Sequence, residues 1–90
     1  MSRFRVSVVV PTRDRSTYLK NFLDSIKNAG DHLDELIVVD SSEKPNSQKI
    51  NLKNVSLFGG KYVFFEPKGT SRALNAGLKH AKGDIIIVSN

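Results

Sequence analysis

Residues 5–11 read RVSVVVP and residues 36–40 read LIVVD, and these two runs decide the fold. Both are dense in β-branched apolar residues with almost no polar alternation. A strand that is apolar on both faces must be covered on both, which places it inside a parallel sheet. Pro11 has no N–H to give a ladder and is expected to end the first strand. The second run ends in a carboxylate, Asp40.

Between the two runs the period changes. Leu19, Phe22, Leu23 and Ile26 recur at helical spacing and predict one apolar stripe on a helix over residues 16–29. Asp14 or Ser16 is placed to cap its start and Gly30 to close its end. Residues 41–57 are polar, with Pro45 and three Asn. They read as a loop, with at most one short helix near 47–52. Gly59-Gly60 reads as a turn and residues 62–65 (YVFF) as a third strand. Gly69 opens a second helix, over 70–82, with Ala73, Leu74, Gly77, Leu78 and Ala81 on its inner face and Gly83 at its close. Residues 85–88 (IIIV) form a fourth strand.

This alternation predicts an α/β fold, an open parallel sheet with flanking helices. Right-handed crossovers restrict the topology, and the expected strand order is 3-2-1-4. Ligands in such sheets bind beyond the carboxyl ends of the strands, where the order reverses. Those ends carry Pro11-Thr12-Arg13-Asp14, Asp40-Ser41-Ser42, residues 67–70, and Ser89-Asn90. All are polar.

Composition narrows the function. The chain has 90 residues, the size of one domain or part of one, and 39% of them are hydrophobic. It has no cysteine, which excludes a disulfide scaffold, cysteine-ligated zinc and a thiol nucleophile. Its apolar runs, 8–10 and 85–88 among them, are at most four residues long, far shorter than the ~20 residues that span a bilayer. No small-residue cleavage site follows the basic start, so a cytoplasmic location is expected. Fourteen Lys and Arg against nine Asp and Glu give a net charge of +5. The basic residues are scattered and not interleaved with aromatics, which argues against nucleic acid as a partner. A diphosphate-bearing small molecule suits the charge. His32 and His80 have no acidic or Cys partner at ligand spacing, so no metal site is expected on them. Neither a dinucleotide fingerprint nor a P-loop nor a nucleophile elbow occurs.

Each strand tip has two readings. Thr12 and Arg13 can line a nucleotide pocket, or the segment is only a turn capped by Asp14. Asp40 can accept hydrogen bonds from a base or ribose, or from the backbone two residues on. Gly69 at a helix N-terminus admits a phosphate to free N–H groups. Arg72 in the first turn opposes the helix dipole unless an anion binds, and Asn75 costs helix propensity. The alternative there is an ordinary helix whose Gly77 packs closely on the sheet.

Taken in order, the motifs resemble those of family 2 glycosyltransferases with the GT-A (nucleotide-diphospho-sugar transferase) fold. VSVVVPTRDR (6–15) is similar to that family's first strand and P-T-x-N-R turn, with Asp14 where Asn is commoner. ELIVVDSS (35–42) resembles E-I-I-V-V-D-D-G-S. GTSRALNAG (69–77) resembles G-x-[SA]-x-A-R-N-x-G, and GDIIIVSN (83–90) the strand that leads to the D-x-D motif. The resemblance implies an inverting sugar transfer from a nucleotide-sugar donor, UDP- or dTDP-linked. It implies Mg2+ or Mn2+ on an acidic motif and a carboxylate base from the second half of the enzyme. Pro11, Thr12, Arg13, Asp40 and Ser41 would line the nucleotide-sugar site. Gly69, Arg72 and Asn75 would lie on its pyrophosphate side.

Three positions depart from the pattern. Ser41 replaces the second Asp, which holds the base in some relatives. Arg72 precedes Asn75 by three residues rather than one. Asn90 stands where the first Asp of D-x-D is expected. The reading is thus a single nucleotide-sugar-binding subdomain over 1–90, truncated before the metal motif and base. It would be inactive alone and bind no metal itself, with an exposed sheet edge open to homodimer formation. The rival readings are a non-catalytic nucleotide-binding domain and a receiver-like signalling module with Asp40 as phosphoacceptor.

Overall fold

A computed structural model describes residues 4–29, 33–65 and 70–89. The elements run β1 (Val6–Thr12), α1 (Ser16–Ala29), β2 (Glu35–Asp40), α2 (Pro45–Phe58), β3 (Lys61–Phe64), α3 (Thr70–His80) and β4 (Ile85–Val88). The strands form one parallel sheet in the order β3-β2-β1-β4. This is the predicted topology, with its reversal between β1 and β4.

The two apolar runs are the centre of the molecule. Val8, Val9 and Val10 of β1 and residues 36–40 of β2 are all buried. Alternate side chains face opposite layers. Val8, Val10, Leu36 and Val38 pack with Leu19 and Leu23 of α1 and Val55 of α2. Val9, Ile37 and Val39 pack with Ala73 of α3. Leu78, expected on the inner face of α3, is instead 37% exposed.

Three local expectations are corrected. Pro11 does not end β1: the strand continues to Thr12, with Pro11 in register with Val39. The Ser41 N–H donates to the Thr12 carbonyl, so Thr12 turns its backbone polar groups toward β2 and Pro11 presents its nitrogen to the other side. On that side the pairing has already ended, with the Ser89 N–H donating to the Val9 carbonyl. The missing donor therefore costs no ladder bond.

The segment after Asp40 is not mainly loop. It holds the 14-residue helix α2, which begins with Pro45 and ends at Gly59. Pro is preorganised for a first helical position. Gly59 sits at φ 93, a left-handed conformation, and its N–H donates to the Val55 and Ser56 carbonyls.

Gly83 does not close α3, which stops at His80. A Cβ on Gly83 would lie 2.5 Å from Ser7 Oγ and 2.8 Å from the Arg5 carbonyl. The glycine is there to let the turn into β4 press against β1. The expectations placed on Gly30, His32, Pro67, Gly69 and Asn90 lie outside the described residues.

Candidate functional site

The carboxyl ends of β1 and β2 are bound into one unit by hydrogen bonds between their loops. Asp14 follows β1 and adopts φ 49, a left-handed conformation that Asp and Asn enter more readily than most residues. Its N–H donates to Ser42 Oγ at 2.8 Å. Its carboxylate accepts from the Glu43 N–H at 3.3 Å and the Lys44 N–H at 3.1 Å. Asp14 thus serves the start of α2 rather than capping α1. The Lys44 N–H is the chief cause that holds its carboxyl below the ordinary 3.8. On the surface, Arg13 Nη2 meets Glu43 Oε1 at 2.7 Å.

Asp40 is wholly buried. Alternation along β2 puts it on the same face as Val38, toward α2. Oδ1 accepts from the Ser42 N–H at 2.8 Å and from the Ser42 hydroxyl. Oδ2 accepts from Asn51 Nδ2 at 3.0 Å and from the Tyr62 hydroxyl at 2.7 Å. Of the two readings offered by the sequence, the one drawn by the structure is the turn bond to the residue two positions on. Burial, and then the bond to Asp40, push the Tyr62 hydroxyl well above its ordinary pKa, so it remains a donor. Nothing in the sequence marks these two partners: Asn51 falls in a polar segment read as loop with one short helix near 47–52, and Tyr62 in an apolar strand.

Pro11, Thr12, Arg13 and Ser41 come together. They line a cleft of ≈ 500 Å³ beside the part of β1 that extends beyond its pairing with β4. Tyr18 and Phe22 of α1 form another wall, and Arg15 completes the mouth. The Arg15 guanidinium carbon lies 5.9 Å from the centre of the Tyr18 ring, within cation–π range. Ser41 is nearly buried, and its Oγ has no hydrogen-bond partner among the described residues. The cleft therefore offers aromatic and aliphatic walls, two guanidinium groups, two aliphatic hydroxyls and the Tyr18 phenol. Arg15, Tyr18 and Phe22 were absent from the sequence-derived site. Phe22 was legible only as part of the α1 stripe, and Tyr18 sits one position off it.

Arg72 and Asn75 are not in this cleft. Both are exposed and line a separate concavity between α3 and β3. Among the described residues no three His, Cys, Asp or Glu side chains are grouped to hold a metal, and the cleft lining contains no carboxylate. The residues described do not fit a divalent cation.

Similarity to known proteins identifies the family and the fold. The sequence model for glycosyl transferase family 2 matches residues 7–90. The O-antigen chain rhamnosyltransferase RfbN of Salmonella typhimurium is 32% identical over 85 residues, which are 92% of this chain and 26% of that protein. An uncharacterized glycosyltransferase of Rickettsia felis is 32% identical over 82 residues, 88% of this chain and 13% of that protein. Glucosyl-3-phosphoglycerate synthase of Mycobacterium tuberculosis, solved in complex with Mn2+, UDP and glucosyl-3-phosphoglycerate, superposes with a TM-score of 0.74 and 25% identity. That match covers 96% of this chain and 33% of the synthase. A mannosyltransferase of Pyrobaculum calidifontis in complex with GDP-Man and Mn2+ gives a TM-score of 0.75 and 26% identity over 96% of this chain and 27% of its own. The chain thus spans about a quarter of the rhamnosyltransferase and less of the Rickettsia protein.

Proposed function

We propose that this chain, which belongs to glycosyl transferase family 2, forms the donor-nucleotide-binding part of a sugar transferase. The observation that carries the reading is the convergence of Pro11, Thr12, Arg13 and Ser41 on one cleft at the strand ends. A nucleoside diphosphate suits that lining. A flat base stacks on Tyr18 and Phe22, and the unpartnered Ser41 hydroxyl and Thr12 meet its polar edge or the ribose. Arg13 and Arg15 face the diphosphate, and Arg13 exchanges its exposed pairing with Glu43 for the ligand's charge. Asp40 acts from behind, holding the turn that presents Ser41. The family match and the basic tip of β1 weigh against a receiver-like module with Asp40 as phosphoacceptor, as does the burial of that carboxylate.

The cleft supplies binding and orientation. It offers no carboxylate to deprotonate an acceptor hydroxyl, so the chain by itself holds donor without transferring sugar. In the whole enzyme a divalent cation would neutralise charge on the departing diphosphate. The donor is UDP- or dTDP-linked, and the transfer is inverting. The unit is a single nucleotide-sugar-binding subdomain, able to pair with a second copy through β4.

Titration with UDP and dTDP, followed by amide NMR, tests this. The Thr12, Arg13 and Ser41 signals should move saturably at millimolar nucleotide, while those of Lys79 and Phe64 stay still. Unmoved signals at the strand tips would remove the assignment.

A further inference from the structure

β3 is open along its outer edge. Among the described residues it pairs only with β2. The Phe65 N–H donates to the Asp40 carbonyl at 2.9 Å, which fixes the alternation along the strand. Lys61, Val63 and Phe65 turn their backbone groups toward β2, whereas Tyr62 and Phe64 turn theirs outward. Two N–H and two C=O groups therefore line a free edge, a template for an added strand.

Beside that edge lies the concavity of ≈ 460 Å³ between β3 and α3. Val63 and Phe65 form its apolar floor, and Arg72, Asn75, Lys79 and His80 its rim. Arg72, Asn75 and Lys79 recur at helical spacing on one face of α3. At a rise of ~1.5 Å per residue, Arg72 and Lys79 stand about 10 Å apart along the helix. Lys61 Nζ lies 3.0 Å from His80 Nδ1 and adds a further cation. No described carboxylate pairs with Lys61, Arg72 or Lys79.

We propose that the β3 edge and this groove together bind an extended acidic peptide segment of a partner protein by strand addition. A row of cations alone would take any anion. A free strand edge alone would take any extended chain. Side by side, they select a ligand that has backbone N–H and C=O groups and repeats its negative charge along its length. Alternate side chains of a strand lie ~7 Å apart, so carboxylates at every second position come within reach of the long Arg72 and Lys79 arms. The peptide's backbone pairs at Tyr62 and Phe64, and the methylene stems of its acidic side chains cross the apolar floor of Val63 and Phe65. This inference is independent of the nucleotide reading, whose cleft is formed by β1, α1 and Ser41.

Fluorescence anisotropy of the chain with a short peptide alternating Glu and Val, and with one alternating Lys and Val, reads the charge requirement. Amide NMR locates the contact. The acidic peptide should bind saturably and more weakly as salt rises, the basic one should not, and the Tyr62 and Phe64 amides should shift. Reversing two surface charges, Arg72→Glu with Lys79→Glu, should weaken binding by about tenfold or more. Phe64→Pro removes an outward N–H without touching the ladder to β2 and should weaken it independently. Three results would overturn the proposal. One is acidic-peptide binding that neither variant changes. Another is shifts confined to Thr12, Arg13 and Ser41. The third is binding to phosphatidylglycerol vesicles, lost in the charge-reversal variant, with no binding of either peptide.

Discussion

Removing the Asp40 carboxylate would strand four hydrogen bonds in the interior. Ser42 would lose a partner for its N–H and its hydroxyl, Asn51 for its amide and Tyr62 for its phenol. A buried donor without an acceptor costs ~1–3 kcal/mol, more than the ~1 kcal/mol net gain of an ordinary hydrogen bond. Asp40→Ala should therefore lower unfolding free energy by roughly 4 kcal/mol or more, and Tyr62→Phe by about 1 kcal/mol. Urea unfolding followed by circular dichroism checks both. Equal small losses would mean that the network is dispensable. Asp14 acts at the same scale through pH. Its folded-state pKa is lowered from 3.8, first by the Lys44 N–H bond, so its contribution is complete above that value. The contribution is lost as pH falls through the lower folded value. Asp14→Asn should be less stable than wild type at pH 7, and the gap should close on acidification. A gap that stays constant from pH 7 into the acid limb would assign the effect to shape rather than charge.

Elements carry different amounts of sequence signal for physical reasons. β1 and β2 were legible because burial on both faces leaves an uninterrupted apolar run, and α1 because its stripe faces one layer only. α2 was not legible. Only Asn51 and Val55 of its 14 residues are buried, so it has almost no stripe. The polar groups that fix its start come from the β1 loop, through Asp14. Asp40 was ambiguous for a related reason. A carboxylate at a strand tip faces either a cleft or a helix, and here the deciding helix was read only as a short one within a loop. The four cleft residues were legible from topology alone, because the strand order names the tips that must meet. The separation of Arg72 and Asn75 from them depends on the rotation of α3 about its axis, which motif spacing does not encode. Gly77 fixes how closely that helix sits. A Cβ there would come within 2.4 Å of Val9 Cγ1 and 3.0 Å of Val39 Cγ2. Gly77→Ala would gain ~1 kcal/mol of helix propensity. Overpacking of the core, at ~1–3 kcal/mol, should outweigh it and leave the variant less stable. A raised melting temperature would show that α3 can slide to make room.

At the scale of the whole molecule the sheet has two edges of opposite character. The β3 edge is flanked by cations and suits a charged visitor. The β4 edge is apolar: Ile85, Ile86, Ile87 and Val88 are each 41–49% exposed, on both faces of the strand. Among the described residues β4 pairs only with β1. Fully burying one such side chain contributes ~1.5–3 kcal/mol, so several half-exposed ones provide a driving force for association. A lysine on an edge strand is a common device against such pairing. Ile87 is the most exposed of the four. Sedimentation velocity over a concentration series should show the chain self-associating, and Ile87→Lys should shift it toward monomer while leaving the strand-tip amide spectrum intact. The charge-reversal variant at Arg72 and Lys79 should leave this equilibrium unchanged, because those residues lie beside the opposite edge of the sheet. If wild type and Ile87→Lys sediment alike as monomers at the highest concentration reached, the apolar edge does not drive pairing. If the Arg72 and Lys79 variant dissociates the dimer instead, the two edges have been assigned to the wrong partners.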